Sequence, residues 1–347
     1  MSPIENEIQS KLLRFYEKRS ASRESIEVLD LTRITDSWEN EVYSFTVEYT
    51  EPTGRTRRDL ILRIYPGDHA AQKAAREFNG MRKLHELGFP VPEVFTLGSD
   101  DSPFGKPFVI MEKINGRLMG LVIDESRDEK RQELITLFCR MFVDLHALEW
   151  RPFAPDPSVY ETGDPYTFIE HSLSEAQEHI DRFQRNEFAP VLDWLEERYL
   201  DVPCERLSVV HLDYHPYNIL MRDDGRAFVI DWTNIQVGDF RIDLAWTILL
   251  TSTYGNPEAR EIGLSEYERI AGRRIEQIEY FEVAASLRRL FSIAVSLSDG
   301  ADKLGMRPEA VTLMKQNIGH IKNVHAFLYD RTGIAIPEIE TLISTLS

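Results

Sequence analysis

Three polar side chains with the spacing of a phosphoryl-transfer site lie between His211 and Asp243. Asp213 is followed five residues later by Asn218, and Asp231 comes thirteen residues after that, behind an apolar run. A carboxylate can position a hydroxyl group and accept its proton, while an amide oxygen and a second carboxylate suit Mg²⁺ bound to nucleotide phosphates. The pattern therefore indicates Asp213 as catalytic base and Asn218 and Asp231 as metal ligands.

The stretch between Asn218 and Asp231 is predicted to form a β-hairpin with Asp224-Gly225 at its turn. Such a hairpin would bring both metal ligands back to one edge. His211 is predicted to be a buried scaffold residue that hydrogen-bonds backbone groups.

A metal-dependent hydrolase is one alternative interpretation of the same segment. His211, Asp213 and His215 alternate along the chain and could face a single metal ion. No histidine or cysteine pair follows at ligand spacing, which argues against this alternative.

A kinase also needs a cation for the nucleotide phosphates, held in place by an acid. Arg63 in an apolar strand and Glu77 in the following helix fit these two roles. After the next strand, Met111 is expected to border the nucleotide pocket. The backbone groups from Glu112 to Ile114 are expected to meet the edge of the base.

The expected phosphate-binding loop, residues 35–40, contains no glycine. Glycine normally lets backbone N–H groups approach phosphate closely, so the side chains of Ser37 and Asn40 are predicted to substitute. This departure leaves open a second alternative, a kinase-like module that binds nucleotide without catalysis.

Hydrophobic periodicity predicts the elements that position these residues. The N-terminal part indicates a small α+β lobe with an antiparallel hairpin, and the remainder is mostly helical. Helices are predicted at residues 5–19, 69–87 (ended by Gly88), 129–149, 244–250, from about 257, and at 279–297, where the helix is buried; strands are predicted at 42–49, 60–65 and 108–111, with a polar turn at 50–59.

The bulk composition restricts the classes of partner. The 347 residues are 42% hydrophobic and 28% charged, which is typical of globular proteins and favours two or three domains. The formal net charge of −18 argues against binding nucleic acid or an anionic membrane. Monomeric and homodimeric states both remain open.

Cys139 and Cys204 are the two cysteines, and neither has metal-ligand spacing. The N-terminal residues lack the apolar core of a signal peptide, and no apolar run approaches the length of a membrane span. These features predict a cytoplasmic protein with reduced thiols.

Residues 151–205 carry 13 acidic and 4 basic side chains, a net of −9, which is half the formal net charge of −18 of the whole chain. Glu170, Glu175, Glu178 and Asp181 could attract a cationic, polyamine-like acceptor. The alternative is that these carboxylates form the solvated faces of amphipathic helices.

Three segments carry a resemblance to a known superfamily: His211-x-Asp213-x-His215-Pro216-x-Asn218, Ile230-Asp231-Trp232 and Asp243-Leu244-Ala245. Over residues 30–330 the chain resembles the aminoglycoside phosphotransferases and choline kinases, the small-molecule relatives of protein kinases. The resemblance implies an α+β, bilobal, protein-kinase-like fold. Its parts would be a nucleotide-binding lobe at 1–111, a hinge at 112–117, and a catalytic and acceptor-binding lobe at 118–347 with a helical insertion at about 151–205.

The resemblance also implies an activity, the transfer of the γ-phosphate of ATP or GTP to a small-molecule hydroxyl group with Mg²⁺. Asp213, Asn218 and Asp231 would keep the roles given above. Arg63 would replace the usual lysine, and Asp243 would be a structural N-cap of the helix that begins at Leu244. Leu212 and Tyr217 stand where the family commonly has glycine. The acceptor could be an aminoglycoside, a choline-like alcohol, a sugar or an amino-acid alcohol.

Overall fold

The computed structural model describes residues 2–19, 24–35, 40–67, 69–161, 163–308 and 310–346. The chain divides into two compact units. Unit 1 contains Met1–Arg117, Leu220–Asn234 and Gly305–Arg307; unit 2 contains Leu118–Ile219, Ile235–Leu304 and Pro308–Ser347. The units are discontinuous in sequence, whereas the predicted lobes are contiguous, and the lobe boundaries stay predictions.

Unit 1 is built on a five-stranded antiparallel sheet with the order β1-β2-β3-β5-β4. Two helices accompany it, and apolar residues of the first helix pack with those of the strands in one core cluster. The elements are α1 (Pro3–Arg19), β1 (Glu24–Ile34), β2 (Glu41–Glu51), β3 (Gly54–Ile64), α2 (Ala70–Glu86), β4 (Val94–Gly98) and β5 (Phe108–Glu112).

The predicted antiparallel hairpin of β2 and β3 is confirmed, but the polar turn predicted at 50–59 is wrong. The strands continue until Glu51 pairs with Gly54, which leaves a turn of two residues. Glu48 forms ion pairs with Arg55 and with Arg57, the latter at 2.6 Å. Opposite charges across neighbouring strands stabilise a ladder, so polar composition did not end these strands.

The helix predicted to end at Gly88 does so. Gly88 has φ 77°, and its N–H donates to the carbonyl of His85 while the N–H of Phe89 donates to that of Leu84. This Schellman arrangement requires the left-handed conformation that glycine adopts without a steric penalty.

The segment from β8 (Ile219–Met221) to β9 (Ala227–Val229) forms the predicted hairpin. Gly225 has φ 82° at its turn, and the N–H of Arg226 donates to Asp224. The small sheet has the order β6-β8-β9, with β6 at Arg117–Leu118. In unit 1, the N–H of Val229 donates to the carbonyl of Pro90 at 2.9 Å, which ties β9 to the rest of that unit.

Unit 2 is mostly helical, and its core is formed around two buried helices that pack on each other, α7 and α9. The predicted buried helices at 244–250 and 279–297 are therefore confirmed. The helices are α3 (Met119–Glu125), α4 (Asp128–Ala147), α5 (Thr167–Phe183), α6 (Ala189–Glu196), α7 (Phe240–Tyr254), α8 (Ala259–Ala271), α9 (Ile278–Ser298), α10 (Ala310–Gln316), α11 (Ile318–Thr332) and α12 (Pro337–Leu346).

Two short antiparallel strands, β7 (Leu207–Val210) and β10 (Gln236–Asp239), complete unit 2. β7 leads into the loop that carries Asp213, and β10 leads directly into α7. In the part of the chain that is described, no helix is both long and apolar enough to cross a bilayer.

Candidate functional site

The loop that carries Asp213 is fixed by a buried carboxylate from α7. Asp243 accepts the N–H of His211 at 2.6 Å and the N–H of Leu212 at 2.7 Å, one at each of its oxygens. The ring of His146 lies 3.3 Å from the same carboxylate. Because these partners are buried, the backbone of the loop is held to the first turn of α7.

The N-cap role expected for Asp243 is wrong, although its structural role is correct. Helix α7 begins at Phe240, and Asp239 is its N-cap, whose side chain accepts the N–H of Arg241 at 2.9 Å. Asp243 lies one turn further along the helix, where its carboxylate is committed to the loop.

Leu212 adopts a left-handed backbone conformation, with φ 61°. Glycine takes this conformation readily, whereas a side chain with a Cβ is strained in it. The loop holds Leu212 there because its N–H is bound by Asp243, its carbonyl lies 3.4 Å from Nη1 of Arg288, and its side chain is buried.

The carboxylate of Asp213 is held at both oxygens. Oδ1 accepts the indole N–H of Trp246 at 3.2 Å, and Oδ2 accepts the amide N–H of Asn218 at 3.0 Å. Nε2 of His215 lies 3.6 Å from Oδ2. The side chain remains 35% exposed, so it is both oriented and accessible to a substrate.

The surroundings of Asp213 keep its carboxyl group ionised. Burial acts to raise its pKa, but the hydrogen bond and charge of His215, the charge of His211 and the bond from Trp246 lower the pKa well below its usual range. Asp213 can therefore accept a hydrogen bond from a hydroxyl group at neutral pH.

Asn218 is buried, and its amide nitrogen donates to both the backbone carbonyl and the carboxylate of Asp213. This network assigns the nitrogen to the interior and leaves the amide oxygen as the atom suited to a cation. Beside it, the ring of Tyr217 packs on Gly120, where a Cβ would lie 2.6 Å from the ring, and its hydroxyl donates to Asp124 at 2.9 Å. The large side chain of Tyr217 is thus accommodated by a glycine in α3.

His211 is fully buried, and its Nδ1 accepts the N–H of Asp213 at 3.2 Å. Its predicted scaffold role is confirmed. The arrangement expected of a metal-dependent hydrolase is not seen: within the described residues, no group of three His, Cys, Asp or Glu side chains could hold a metal ion.

In unit 1 the predicted Arg63–Glu77 pair forms and is buried, with 2.5 Å between Nη1 and Oε1. The same nitrogen of Arg63 donates to Oδ1 of Asp231 at 2.9 Å and to the hydroxyl of Thr233 at 3.2 Å. Tyr65 donates from its hydroxyl to the second oxygen of Glu77. Two predicted site residues, Glu77 and Asp231, therefore meet at the guanidinium group of a third, Arg63.

These contacts determine the protonation states of Arg63 and Tyr65. Burial acts to lower the pKa of Arg63, but the Asp231 and Glu77 carboxylates raise this pKa well above its ordinary value. Burial, and then the charge of Glu77, raise the pKa of Tyr65 well above its ordinary value. Arg63 is therefore a cation and Tyr65 a neutral donor.

Asp231 has φ 65° and a side chain that is 38% exposed. In the described part of the chain, both hydrogen bonds to its carboxylate reach Oδ1, from Arg63 and from Thr233 at 3.1 Å. An exposed carboxylate oxygen fits the chemistry of a Mg²⁺ ligand.

Sequence reasoning missed Thr233 and Tyr65. Each lies two residues after a predicted site residue, Asp231 and Arg63 respectively. Residues two apart share a face of an extended chain, and this is the signal that could have identified Tyr65.

Two of the backbone N–H groups that were predicted to meet the base already donate hydrogen bonds within unit 1. The N–H of Glu112 donates to the carbonyl of Glu93 at 2.8 Å, and the N–H of Lys113 donates to that of Asp59 at 3.1 Å. Among the described residues no acceptor binds the N–H of Ile114, so this group remains a predicted donor to the base. Met111 is buried at the end of β5.

The predicted phosphate-binding loop, residues 35–40, is described only at its two ends. Asn40 is buried immediately before β2. Ser37 lies outside the described residues, so its predicted phosphate contact stays a prediction.

The chain resembles solved aminoglycoside phosphotransferases in fold. A structure assigned to this class from Ralstonia eutropha JMP134 aligns with a TM-score of 0.62 at 16% identity, covering 97% of each chain. APH(4)-Ia aligns with a TM-score of 0.57 at 16% identity, covering 95% of this chain and 99% of the other. The predicted fold class is thereby confirmed: α+β and kinase-like, with a small antiparallel-sheet lobe and a larger, mostly helical lobe.

Curated proteins also match part of the chain. Acyl-CoA dehydrogenase family member 10 of Mus musculus is 27% identical over 227 residues, covering 60% of this chain and 20% of that protein. Family member 11 of Pongo abelii is 27% identical over 184 residues, covering 50% and 22%. The chain thus spans about a fifth of the length of these relatives.

The model of one protein family, described as "Phosphotransferase enzyme family", matches residues 30–277. The match includes Arg63, Glu77 and the whole segment from His211 to Asp243. The chain belongs to the phosphotransferase enzyme family.

Proposed function

We propose that this protein transfers the γ-phosphate of ATP or GTP to a hydroxyl group of a small molecule. The observation that carries the proposal is the carboxylate of Asp213, which is ionised, partly exposed and oriented by Trp246 and Asn218. A phosphoryl acceptor needs such a group to align its O–H bond.

In the proposed reaction, the acceptor oxygen forms a bond to the γ-phosphorus while the bond to the leaving nucleoside diphosphate breaks. The hydroxyl proton passes to Asp213. Its carboxylate orients the hydroxyl group before it takes up the proton, as suits a loose transition state.

Asn218 and Asp231 are proposed to hold Mg²⁺, which would neutralise charge on the phosphates when bound. Both offer oxygen atoms, the donor type that Mg²⁺ prefers. Arg63 is proposed to contact phosphate, with Glu77 fixing its guanidinium. The N–H of Ile114 and backbone carbonyl groups of the Glu112–Ile114 segment are proposed to receive the base.

The proposed acceptor is a small molecule, and its identity must be found by assay. The panel should contain aminoglycosides, choline-like alcohols, sugars and amino-acid alcohols. It should also contain hydroxyacyl-CoA thioesters, because the curated relatives are named as acyl-CoA dehydrogenase family members. Release of ADP or GDP is the signal to record.

Substituting Asp213→Asn tests the proposal. The variant keeps the size of the side chain and its bond to Trp246 but cannot take a proton. We expect transfer to fall at least a hundredfold, while the dissociation constant for MgATP changes little. Turnover equal to that of the wild type would contradict the assignment. MgATP binding with no turnover in the wild-type protein would favour the nucleotide-binding module instead.

A further inference from the structure

The indole of Trp246 supplies a side-chain N–H group that binds the carboxylate of Asp213. Its Nε1 lies 3.2 Å from Oδ1, while Asn218 binds Oδ2 at 3.0 Å. Trp246 is only 7% exposed, so its ring is held by the surrounding core. A carboxylate with a fixed donor at each oxygen cannot rotate about its χ2 bond without losing one of them.

Helix α7 provides both supports of the loop. Asp243 holds the backbone N–H groups of His211 and Leu212, and Trp246, three residues further on, holds the side chain of Asp213. Residues three apart lie on the same face of a helix. One rigid, buried helix therefore holds both the backbone of the loop and the carboxylate of Asp213 in position.

A second helix adds a cation to this arrangement. The guanidinium carbon of Arg288, from α9, lies 4.1 Å from the centre of the Trp246 ring. Its Nη1 lies 3.4 Å from the carbonyl oxygen of Leu212, the residue before Asp213. A cation over an indole face is attracted to it, and polarisation of the ring strengthens its N–H as a donor.

We propose that Trp246 and Arg288 are positioning residues for the catalytic base. Trp246 sets the plane of the Asp213 carboxylate, and Arg288 fixes both the indole and the peptide group that precedes Asp213. This inference rests on the proposed phosphotransferase function. A misplacement of about 1 Å in a reacting group can cost a hundredfold in rate, so loss of the Trp246 N–H should be visible in turnover.

The variant Trp246→Phe removes the N–H and keeps an aromatic ring beneath Arg288. Trp150→Phe is its matched control, because Trp150 is 8% exposed and Arg151 stacks on it at 5.0 Å. The probe is hydrolysis of MgATP with water as the acceptor, together with the KM for MgATP and the melting temperature. We expect kcat to fall about tenfold or more in Trp246→Phe alone, with KM within about twofold of the wild-type value.

A double-mutant cycle separates positioning from a structural role. In the Asp213→Asn background the base is absent, so Trp246→Phe should reduce the residual rate no further. An equal reduction in both backgrounds would show a general structural effect and overturn the inference. So would an unchanged kcat in the single Trp246→Phe variant.

Arg288→Met tests the same chain of contacts if Trp246→Phe does not fold. It should lower kcat by about threefold, again only when Asp213 is present, and unchanged kcat would overturn the role of Arg288. A wrong function assignment would give a different result, because Asp213→Asn would then retain the wild-type rate. An inactive Asp213→Asn with a fully active Trp246→Phe would overturn the positioning inference alone.

Discussion

Nη1 of Arg63 lies 2.9 Å from Oδ1 of Asp231, and this ion pair joins residues 168 positions apart. The same nitrogen reaches Glu77 at 2.5 Å. One cation therefore holds a carboxylate proposed to bind metal and a carboxylate that is fully buried. The arrangement makes Arg63 important for stability as well as for nucleotide binding.

Removing the cation with Arg63→Met should destabilise unit 1. Among the described residues, it would leave the buried Glu77 carboxylate with the Tyr65 hydroxyl as its hydrogen-bond donor, and breaking a buried pair from one side costs roughly 3–5 kcal/mol. Arg63→Lys should cost clearly less, because it keeps a positive charge. Denaturant unfolding would measure both changes.

The control is Lys83→Met, which removes an exposed ion pair with Glu86. Because both partners are solvated, that change should leave the free energy of unfolding nearly unchanged. A loss of the same small size in Arg63→Met would contradict the role given to the buried cluster.

Asp243→Asn should loosen the loop that carries Asp213. An amide has one acceptor oxygen, so one of the two N–H groups of His211 and Leu212 would lose its partner. An unpaired buried N–H costs about 1–3 kcal/mol, and kcat should fall with little change in the KM for MgATP. Asp128→Asn, in the exposed first turn of α4, is the control and should leave kcat unchanged.

The short-range part of this site could be predicted from sequence. Asp213 and Asn218 are five residues apart, and a single loop brings them into hydrogen-bond contact. The role of Asp243 was misassigned because its partners lie 31 and 32 residues away in the chain. Local sequence preference favours an aspartate as a helix cap and contains no information on a contact of that range.

Strand β1 is an element of the fold that could not be predicted from the sequence pattern. No strand was predicted at Glu24–Ile34, because its pairing with β2 has register shifts between Glu24 and Glu27 and between Leu29 and Thr32. Bulges of this kind break the alternation of apolar residues on which strand prediction depends. The regular patterns of β2 and α9, in contrast, were sufficient to place both elements.

Leu212 gives a test of backbone strain. Both Leu212→Ala and Leu212→Gly lose the packing of a buried leucine, which costs about 2–5 kcal/mol. Glycine also relieves the strain at φ 61°, worth about 1 kcal/mol. We therefore expect the glycine variant to be the more stable of the two by about 1 kcal/mol in denaturant unfolding. At residues with ordinary φ, such as Leu134 in α4, alanine should be the more stable replacement.

His320, in α11, makes the free energy of unfolding depend on pH. Its ring is 4% exposed, stacks on Tyr254 at 3.6 Å and accepts the Nε–H of Arg289 at 2.8 Å. Burial, and then the charge of Arg289, lower its pKa from 6.5 to about 3. The folded protein therefore keeps this imidazole neutral across the range in which the unfolded chain takes up a proton.

Because only the unfolded chain gains that proton below pH 6.5, acid favours unfolding. The contribution of His320 is complete above pH 6.5 and is lost as the pH falls towards 3, at up to about 1.4 kcal/mol per pH unit. In denaturant unfolding at pH 7, 6 and 5, His320→Gln should show a flatter dependence on pH than the wild type. His171→Gln, at an exposed position, should keep the wild-type slope. Parallel slopes for the wild type and His320→Gln would show that this imidazole is protonated equally in both states.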